Sequence, residues 1–241
     1  FSMVVSDTTA NVKKCRAFIC DAFPWILNCP DPCHQLNLLA KEVMLGSKKY
    51  PKVAVSAITT YFSHSNYGKK HLRDKLKEQS DRRGLVSFGA TRFSTFANQA
   101  SSVSRCLTAM GRCFAEGLTK PLQQYFVNNS PAQLAFRLQL YTINMLLTPI
   151  ARGLKTLESS QVTCSDVFNV WIGIAIGFQE VFADPDNDIN KYHQETFDCY
   201  NRRFAIFMND CTSGMFILSY LLDPGMCCSS QLYGVSIYER L

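Results

Sequence analysis

Two residues in the first forty have the type and placement for chemistry. Asp7 follows the short β-branched run Val4-Val5-Ser6 and precedes Thr8-Thr9-Ala10-Asn11, which reads as a helix start. A carboxylate at the C-terminal end of a strand, beside a helix N-terminus, is where open α/β sheets place ligands and metal ions. Magnesium-dependent phosphoryl transfer brings two or three such carboxylates onto one or two ions. The same position also suits a helix cap, and Asp7 by itself does not separate the two readings. His34 opens a second helix after Cys29-Pro30-Asp31-Pro32-Cys33. One crossover away from Asp7, it is placed to donate a hydrogen bond to a phosphate or base near the carboxylate. The plainer reading is a half-buried histidine at a helix start. With the cysteines around it His34 makes a single ligand cluster, whereas structural zinc wants a second paired cluster further on. A Cys33–His34 nucleophilic pair is disfavoured, because neighbours along a helix do not face each other.

Other chemistry-bearing residues lie further along. Arg92-Phe93 opens a long helix after Gly89-Ala90-Thr91, a place for phosphate contact by the arginine and base stacking by the ring. Phe93 serves equally as the first rung of the apolar stripe that follows. Lys48, Lys49 and Lys52, and then Lys69, Lys70, Arg73, Lys75 and Lys77, are interleaved with Tyr50, Tyr61 and Tyr67. Such a run can track a phosphate backbone, a contact that ignores sequence and weakens with salt; it can also be a solvated helix face. Glu180, Asp184, Asp186 and Asp188 resemble an acidic loop but lack the ordered spacing and closing Glu of an EF-hand.

The elements that must position these residues change character along the chain. Phe1–Ser6 reads as a buried strand. Asp7 and Thr8 are good N-caps for a helix over Ala10–Phe23, with Val12, Cys15, Phe18, Ile19 and Ala22 as its apolar positions, and Pro24 ends it. Trp25–Cys29 is a second short strand, Pro30 and Pro32 force a turn, and Cys33–Leu45 is a helix closed by Gly46. Strand–helix–strand–helix is an α/β pattern. After Gly46 it gives way to helices. Val53–Phe62 and Lys69–Gln79 are predicted helices joined by His64-Ser65-Asn66-Tyr67-Gly68, and Leu85–Phe88 is a brief extended piece. Phe93, Phe96/Ala97, Ala100, Val103, Leu107, Met110 and Phe114 make one long amphipathic helix, broken at Gly117–Pro121. Ser130-Pro131 starts another, running to about Leu157 with Pro149 expected to kink it. Thr163–Phe182, apolar nearly all round, is the expected central helix. Ile189–Phe207 and Ser213–Leu222 follow, and a loose tail begins at Gly225.

Bulk properties narrow the class. In 241 residues, 47% hydrophobic and 18% charged content fit an ordinary globular chain. The longest uncharged apolar-rich run, Val167–Gln179, falls short of the roughly 20 residues of a membrane span, so no membrane partner is expected. No signal segment is recognisable, and the start at Phe1 rather than Met reads as a piece of something longer. Eleven cysteines, odd in number and irregular in spacing, mostly at apolar helix positions, read as reduced buried thiols rather than a secreted disulfide framework. The net charge of +6 is uneven. Lys48–Arg92 holds eleven Lys/Arg against three acids, a net of +8, and Glu158–Asp210 holds nine acids against three Lys/Arg, a net of −6. A basic segment of this kind points to a polyanion, with nucleic acid first.

Taken together these phrases resemble the hAT superfamily of DNA transposases and their domesticated relatives. Ser6-Asp7-Thr8-Thr9-Ala10-Asn11-Val12 is similar to the family's S/T-D-N-A-x-N-M block, and Cys33-His34-Gln35-Leu36-Asn37-Leu38-Leu39-Ala40-Lys41 to its C-x-x-H-x-L-N-L-x-x-K block. Ala90-Thr91-Arg92-Phe93-Ser94 is similar to its T-R-W-N/S block, and Leu154–Glu158 and Leu221-Leu222-Asp223-Pro224 resemble further family phrases. Asp31 stands where the second block usually has Cys, and Phe93 replaces Trp with a smaller stacking face. No BED-type zinc finger is present.

The resemblance implies a mainly α fold: residues 1–46 as part of a ribonuclease H-like α/β catalytic core, 47–224 as a large all-helical insertion domain, and 225–241 as a loose tail. It implies a nuclear protein that binds DNA and whose parent carried out magnesium-dependent cleavage and strand transfer. Asp7 would be the second of three metal-binding acids and so the catalytic and metal residue here. His34, Arg92, Phe93, Lys48, Lys49, Lys69, Lys70 and Arg73 would hold DNA. The first acid is expected upstream of Phe1 and the final Glu downstream of Leu241. One Asp cannot hold the magnesium ions of a two-metal site, so this chain alone is expected to be inactive. The alternative is a non-catalytic helical module derived from a transposable element, serving DNA binding, protein interaction or self-association as a homo-oligomer.

Overall fold

A computed structural model describes residues 2–46, 52–79, 82–86, 93–118, 122–212 and 214–227. Across these described residues the chain is mainly helical, with a small two-stranded sheet near its N-terminus. Among the described residues no helix is long and apolar enough to cross a membrane. The chain divides into two compact units, one from Phe1–Leu36, Gly153–Gly177 and Tyr200–Leu241, the other from Asn37–Arg152 and Phe178–Cys199.

The first unit is built on a β-α-β turn of chain. β1 (Met3–Ser6) and β2 (Leu27–Pro30) pair in parallel, Met3 against Leu27 through Ser6 against Pro30, and α1 (Ala10–Ala22) makes the crossover that parallel pairing requires. α2 (Pro32–Gly46) starts directly after β2 with Pro at its first position, and Asp31 caps it by accepting a bond from the Cys33 N–H at 2.8 Å. The cap residue of α1 is Thr9 rather than Asp7 or Thr8, and its own side chain makes no capping bond.

The expected inward face of α1 is corrected. Its buried residue is Arg16, at 1% exposure, while Val12 and Phe18 lie in solvent, Phe18 at 74%. The reason is polar. The ends of β1 and β2 present carbonyls and side-chain acceptors toward α1, and a guanidinium satisfies several of them where an apolar side chain would satisfy none. β2 gains a neighbour on its other side from a distant stretch: Thr212 donates its N–H to the Asn28 carbonyl at 2.9 Å, and the Asn28 N–H donates to the Thr212 hydroxyl at 2.8 Å.

The rest of this unit is an aromatic core. α7 (Cys164–Val181) buries Trp171 against Tyr200, Phe204 and Phe207 of α8 (His193–Asn209), and Phe207 stacks on Phe216 of α9 (Met215–Leu222). The Tyr200 hydroxyl donates to the Trp171 carbonyl at 2.8 Å. The buried apolar residues of α7 are Val167, Phe168, Trp171, Ile174 and Phe178, and Ser165 is buried with them, while Asn169 and Gly173 are exposed. α6 (Pro131–Leu157) runs through Pro149 without interruption. Its Gly153 lets α7 approach closely: a Cβ there would meet Val170 Cγ1 at 2.8 Å.

In the second unit α3 (Lys52–His64) and α4 (Asn66–Lys77) are separated by Ser65 alone. The expected five-residue linker is helix instead, because the Ser65 hydroxyl accepts the Gly68 N–H at 3.0 Å and starts α4 three residues early. Gly68 permits the tight turn-back, since a Cβ would sit 3.0 Å from the Tyr61 ring. α5 (Phe93–Ala115) buries Phe96, Ala100, Val103, Cys106, Met110 and Phe114 as a continuous stripe. It ends on Gly117 at φ 68°, with Leu118 N–H bonded to Cys113 O and Gly117 N–H to Phe114 O, a Schellman closure. Leu85 and Val86 form no strand, and the rest of that expected extended piece lies outside the described residues. The tail's Gly225–Cys227 belongs to a last turn of helix, α10 (Pro224–Cys227).

Candidate functional site

The parallel pairing of β1 and β2 brings Asp7 and His34 to the same end of the sheet, since each follows the C-terminal end of its strand. Asp7 Oδ1 accepts from the Thr9 N–H at 3.0 Å and from the Thr9 hydroxyl at 2.8 Å. Those bonds hold the Asp7 carboxyl below its ordinary value, the backbone bond contributing most, and the charges of His34 and Arg16 act in the same direction against partial desolvation. Asp7 is therefore an ionised carboxylate with a histidine in electrostatic reach. Oδ2 has no hydrogen-bond partner among the described residues.

Magnesium is the ion the family resemblance implies here, and the residues do not make a site for it. Among the described residues no group of three or more His, Cys, Asp or Glu side chains converges on a point. One Asp7 oxygen is already committed to Thr9. A hard cation wants near-octahedral oxygen donors, and Asp7 supplies one carboxylate.

Arg16 was not foreseen as part of this site. Its Nη1 donates to Ser6 O at 3.0 Å, Ser6 Oγ at 2.9 Å and Asp7 O at 3.2 Å, its Nε to Asn28 Oδ1, and its Nη2 to Asp210 Oδ2 at 3.1 Å. Lys13 pairs with the same Asp210 carboxylate. The arginine thus fixes the carbonyl of Asp7, the end of β1, β2 and the chain after α8 around one buried charge. The signal for it was local: position 16 falls four after Val12 and three before Ile19, so a charge interrupts an otherwise apolar stripe. Nothing local marked Asp210 as its partner.

Three thiols of the same unit, Cys29, Cys164 and Cys211, lie within electrostatic reach of one another. Burial pushes Cys29 up to about 12 and also raises the other two, which makes them unreactive packing groups.

The basic segment is resolved at α4. Five cations and one histidine lie on twelve residues, and the structure sorts them. Lys75 turns in to Glu116 at 2.6 Å, which raises the lysine's pKa, and Arg112 bonds Glu78 at 3.2 Å; these pairs tie the end of α4 to α5. Lys77 bonds Asp74 at 3.0 Å. Lys69, Lys70 and Arg73 are exposed and make no salt bridge among the described residues. The buried side of α4 is Gly68, Leu72 and Leu76. At 100° per residue, Lys69, Lys70, Arg73 and Lys77 then form one outward row. Tyr67, 58% exposed, stands beside the row with its ring 4.2 Å from that of His71. Tyr61, by contrast, packs edge-on against Phe62 and under Gly68.

Lys48, Lys49, Tyr50 and Arg92 lie outside the described residues. Phe93 is the first residue of α5, and its side chain is likewise outside them.

The comparisons with known proteins give no support from relatives: no family model matches the chain, and neither the curated proteins nor the solved structures contain a significant match.

Proposed function

We propose that this chain is a hAT transposase-like DNA-binding fragment, acting in the nucleus, with no cleavage activity of its own. On this reading the β1-α1-β2 turn is a piece of a ribonuclease H-like sheet, the helices after it are the insertion, and Asp7 is one of three acids of the parent's magnesium site. The observation that carries the reading is the ordered set of sequence blocks around Asp7, His34 and Arg92-Phe93. The first two blocks bracket a parallel β-α-β turn, with Asp7 and His34 at one end of it. The DNA-binding half rests on Lys69, Lys70 and Arg73, which make no salt bridge among the described residues while Lys75 and Lys77 are paired. A helix that pairs Lys75 and Lys77 with acids and leaves Lys69, Lys70 and Arg73 exposed is suited to phosphate oxygens.

A second reading, a non-catalytic module derived from a transposable element, rests on the lack, among the described residues, of any group of three or more His, Cys, Asp or Glu side chains around Asp7. That module would serve DNA binding or protein interaction, and the two readings differ in whether flanking sequence once supplied the remaining acids. Binding of a fluorescent DNA duplex at low salt, compared with the Lys69→Ala/Lys70→Ala/Arg73→Ala variant, tests the DNA-binding part. The expected result is salt-sensitive binding that the variant loses. Absence of duplex affinity at low salt, or equal affinity in the variant, removes it. Magnesium-dependent nicking by the purified chain, abolished in Asp7→Ala, would contradict the claim of inactivity.

A further inference from the structure

The proposal of DNA binding leaves open which form of DNA the α4 surface takes, and Tyr67 bears on that question. We infer that α4 binds DNA at an unpaired stretch, with Tyr67 stacked on an exposed base and Lys70 and Arg73 on the phosphates beside it. This rests on the DNA-binding reading and adds the form of the ligand and the residue that selects it.

The argument begins with what α4 does with its aromatic residue. A tyrosine on an amphipathic helix ordinarily turns its ring toward the core, and Tyr61 on the preceding helix does so, lying against Phe62 and beneath Gly68. Tyr67 instead leaves more than half of its surface in solvent. On the helix it stands 60° from Lys70 and 120° from Arg73, on the flank of the cationic row rather than within it. An extended strand whose phosphates follow that row has its bases on one side, and Tyr67 is the one exposed aromatic there among the described residues of α4. His71, one turn further on, meets the ring at 4.2 Å and 66°. That contact limits the ring's rotamers before any ligand arrives, which lowers the entropy lost on stacking.

A duplex does not use this arrangement. Its base faces are covered by neighbouring pairs, so a side chain beside a phosphate contact reaches sugar and backbone only. Stacking on an aromatic needs an unpaired base, and any base will serve because each has a π-face. The cationic row by itself serves both forms of DNA, so the row sets affinity and Tyr67 sets preference. The acids nearby fit this division: Asp74 is occupied with Lys77, and Glu78 and Glu116 are turned to Lys75 and Arg112, leaving the Tyr67–Lys70–Arg73 side free of an uncompensated carboxylate.

The test measures anisotropy of fluorescein-labelled oligothymidylate and of a duplex of equal length with the 241-residue chain at one low salt concentration. Tyr67→Ala is expected to weaken oligothymidylate binding about five-fold or more and to leave the duplex within about two-fold. Tyr67→Phe, which keeps the ring, is expected to bind both like the parent. Tyr67 is exposed, and unchanged far-ultraviolet circular dichroism verifies that the variants are folded. Equal effects of Tyr67→Ala on both forms, or no effect on either, overturns the inference while the loss caused by neutralising Lys69, Lys70 and Arg73 keeps DNA binding in place. If the parent chain binds neither form, the DNA-binding reading itself fails, and this inference with it.

Discussion

Arg16→Met isolates what holds the Asp7 end of the sheet together. The guanidinium is 1% exposed and bonds Ser6, Asp7, Asn28 and Asp210. Methionine matches its bulk roughly and removes every donor. Two main-chain carbonyls and a side-chain amide then lose a partner, and Asp210, 12% exposed, keeps only Lys13, which is 55% exposed and well hydrated. Breaking one side of a buried ion pair costs about 3–5 kcal/mol. Because Lys13 remains, we take the lower end, about 3 kcal/mol. With a urea m-value of about 1–3 kcal/mol/M, the midpoint moves down by about 1–3 M. Tryptophan fluorescence is the suitable probe, since Trp25 and Trp171 both belong to the first unit. Arg16→Lys keeps the charge without the fork and should fall between. Arg16→Met combined with Asp210→Leu should lose less than the two single changes summed, because no buried charge is then left without its partner, Lys13 being 55% exposed. If Arg16→Met shifts the midpoint no more than a surface control, Lys14→Met, the account of the buried arginine is wrong.

Three further outcomes follow from other parts of the molecule. Cys29 stays protonated in the fold up to about 12 whereas an ordinary thiol titrates at 9.0. The unfolded chain therefore binds fewer protons between those values, and stability falls as pH rises above 9, by about 1.4 kcal/mol per pH unit for this one group; Cys29→Ala should flatten that part of a urea-midpoint-against-pH curve. Gly153→Val should destabilise by about 1–3 kcal/mol through overpacking against Val170 and Ile174. Gly173→Ala, with open space around it, should stabilise by up to about 1 kcal/mol, and thermal melts distinguish the two. Trp25 is 69% exposed and Trp171 fully buried, so emission should move to the blue in Trp25→Phe and to the red in Trp171→Phe; identical spectra would contradict the placement of both.

What the sequence made legible was local. The strand Met3–Ser6, the proline that ends α1, the proline that opens α2 and the apolar stripe of α5 are each decided by neighbours within a few residues and lie where their patterns put them. However, β1 is not the buried strand expected, since Val5 is 51% exposed. The helical character of the rest follows from the same periodicity. Pairings set by distant chain were not legible. Asp210 and Thr212 meet Arg16 and Asn28 across more than 180 residues, and no spacing rule links them. The face of α1 was misjudged for the same reason: Phe18 and Val12 read as core by period, but the acceptors that draw Arg16 inward come from β1, β2 and the chain after α8. Ser65 is a subtler case: the sequence pattern places it in a linker with Asn66, Tyr67 and Gly68, whereas its hydroxyl caps α4. For the candidate site, Asp7 and His34 were legible as residues at strand and helix ends. The sorting of α4's cations into paired and unpaired depended on Glu116 and Arg112 of α5, which only the folded helices bring near.

The most direct measurement of the central claim is acetylation footprinting of the full chain, read lysine by lysine by mass spectrometry with and without saturating DNA at low salt. Lys69 and Lys70 are exposed and make no salt bridge among the described residues, as is true of Lys14 on α1. The account predicts that DNA protects Lys69 and Lys70 several-fold while Lys14 reacts at its unbound rate. Unchanged acetylation of Lys69 and Lys70 in a DNA-saturated sample would contradict it.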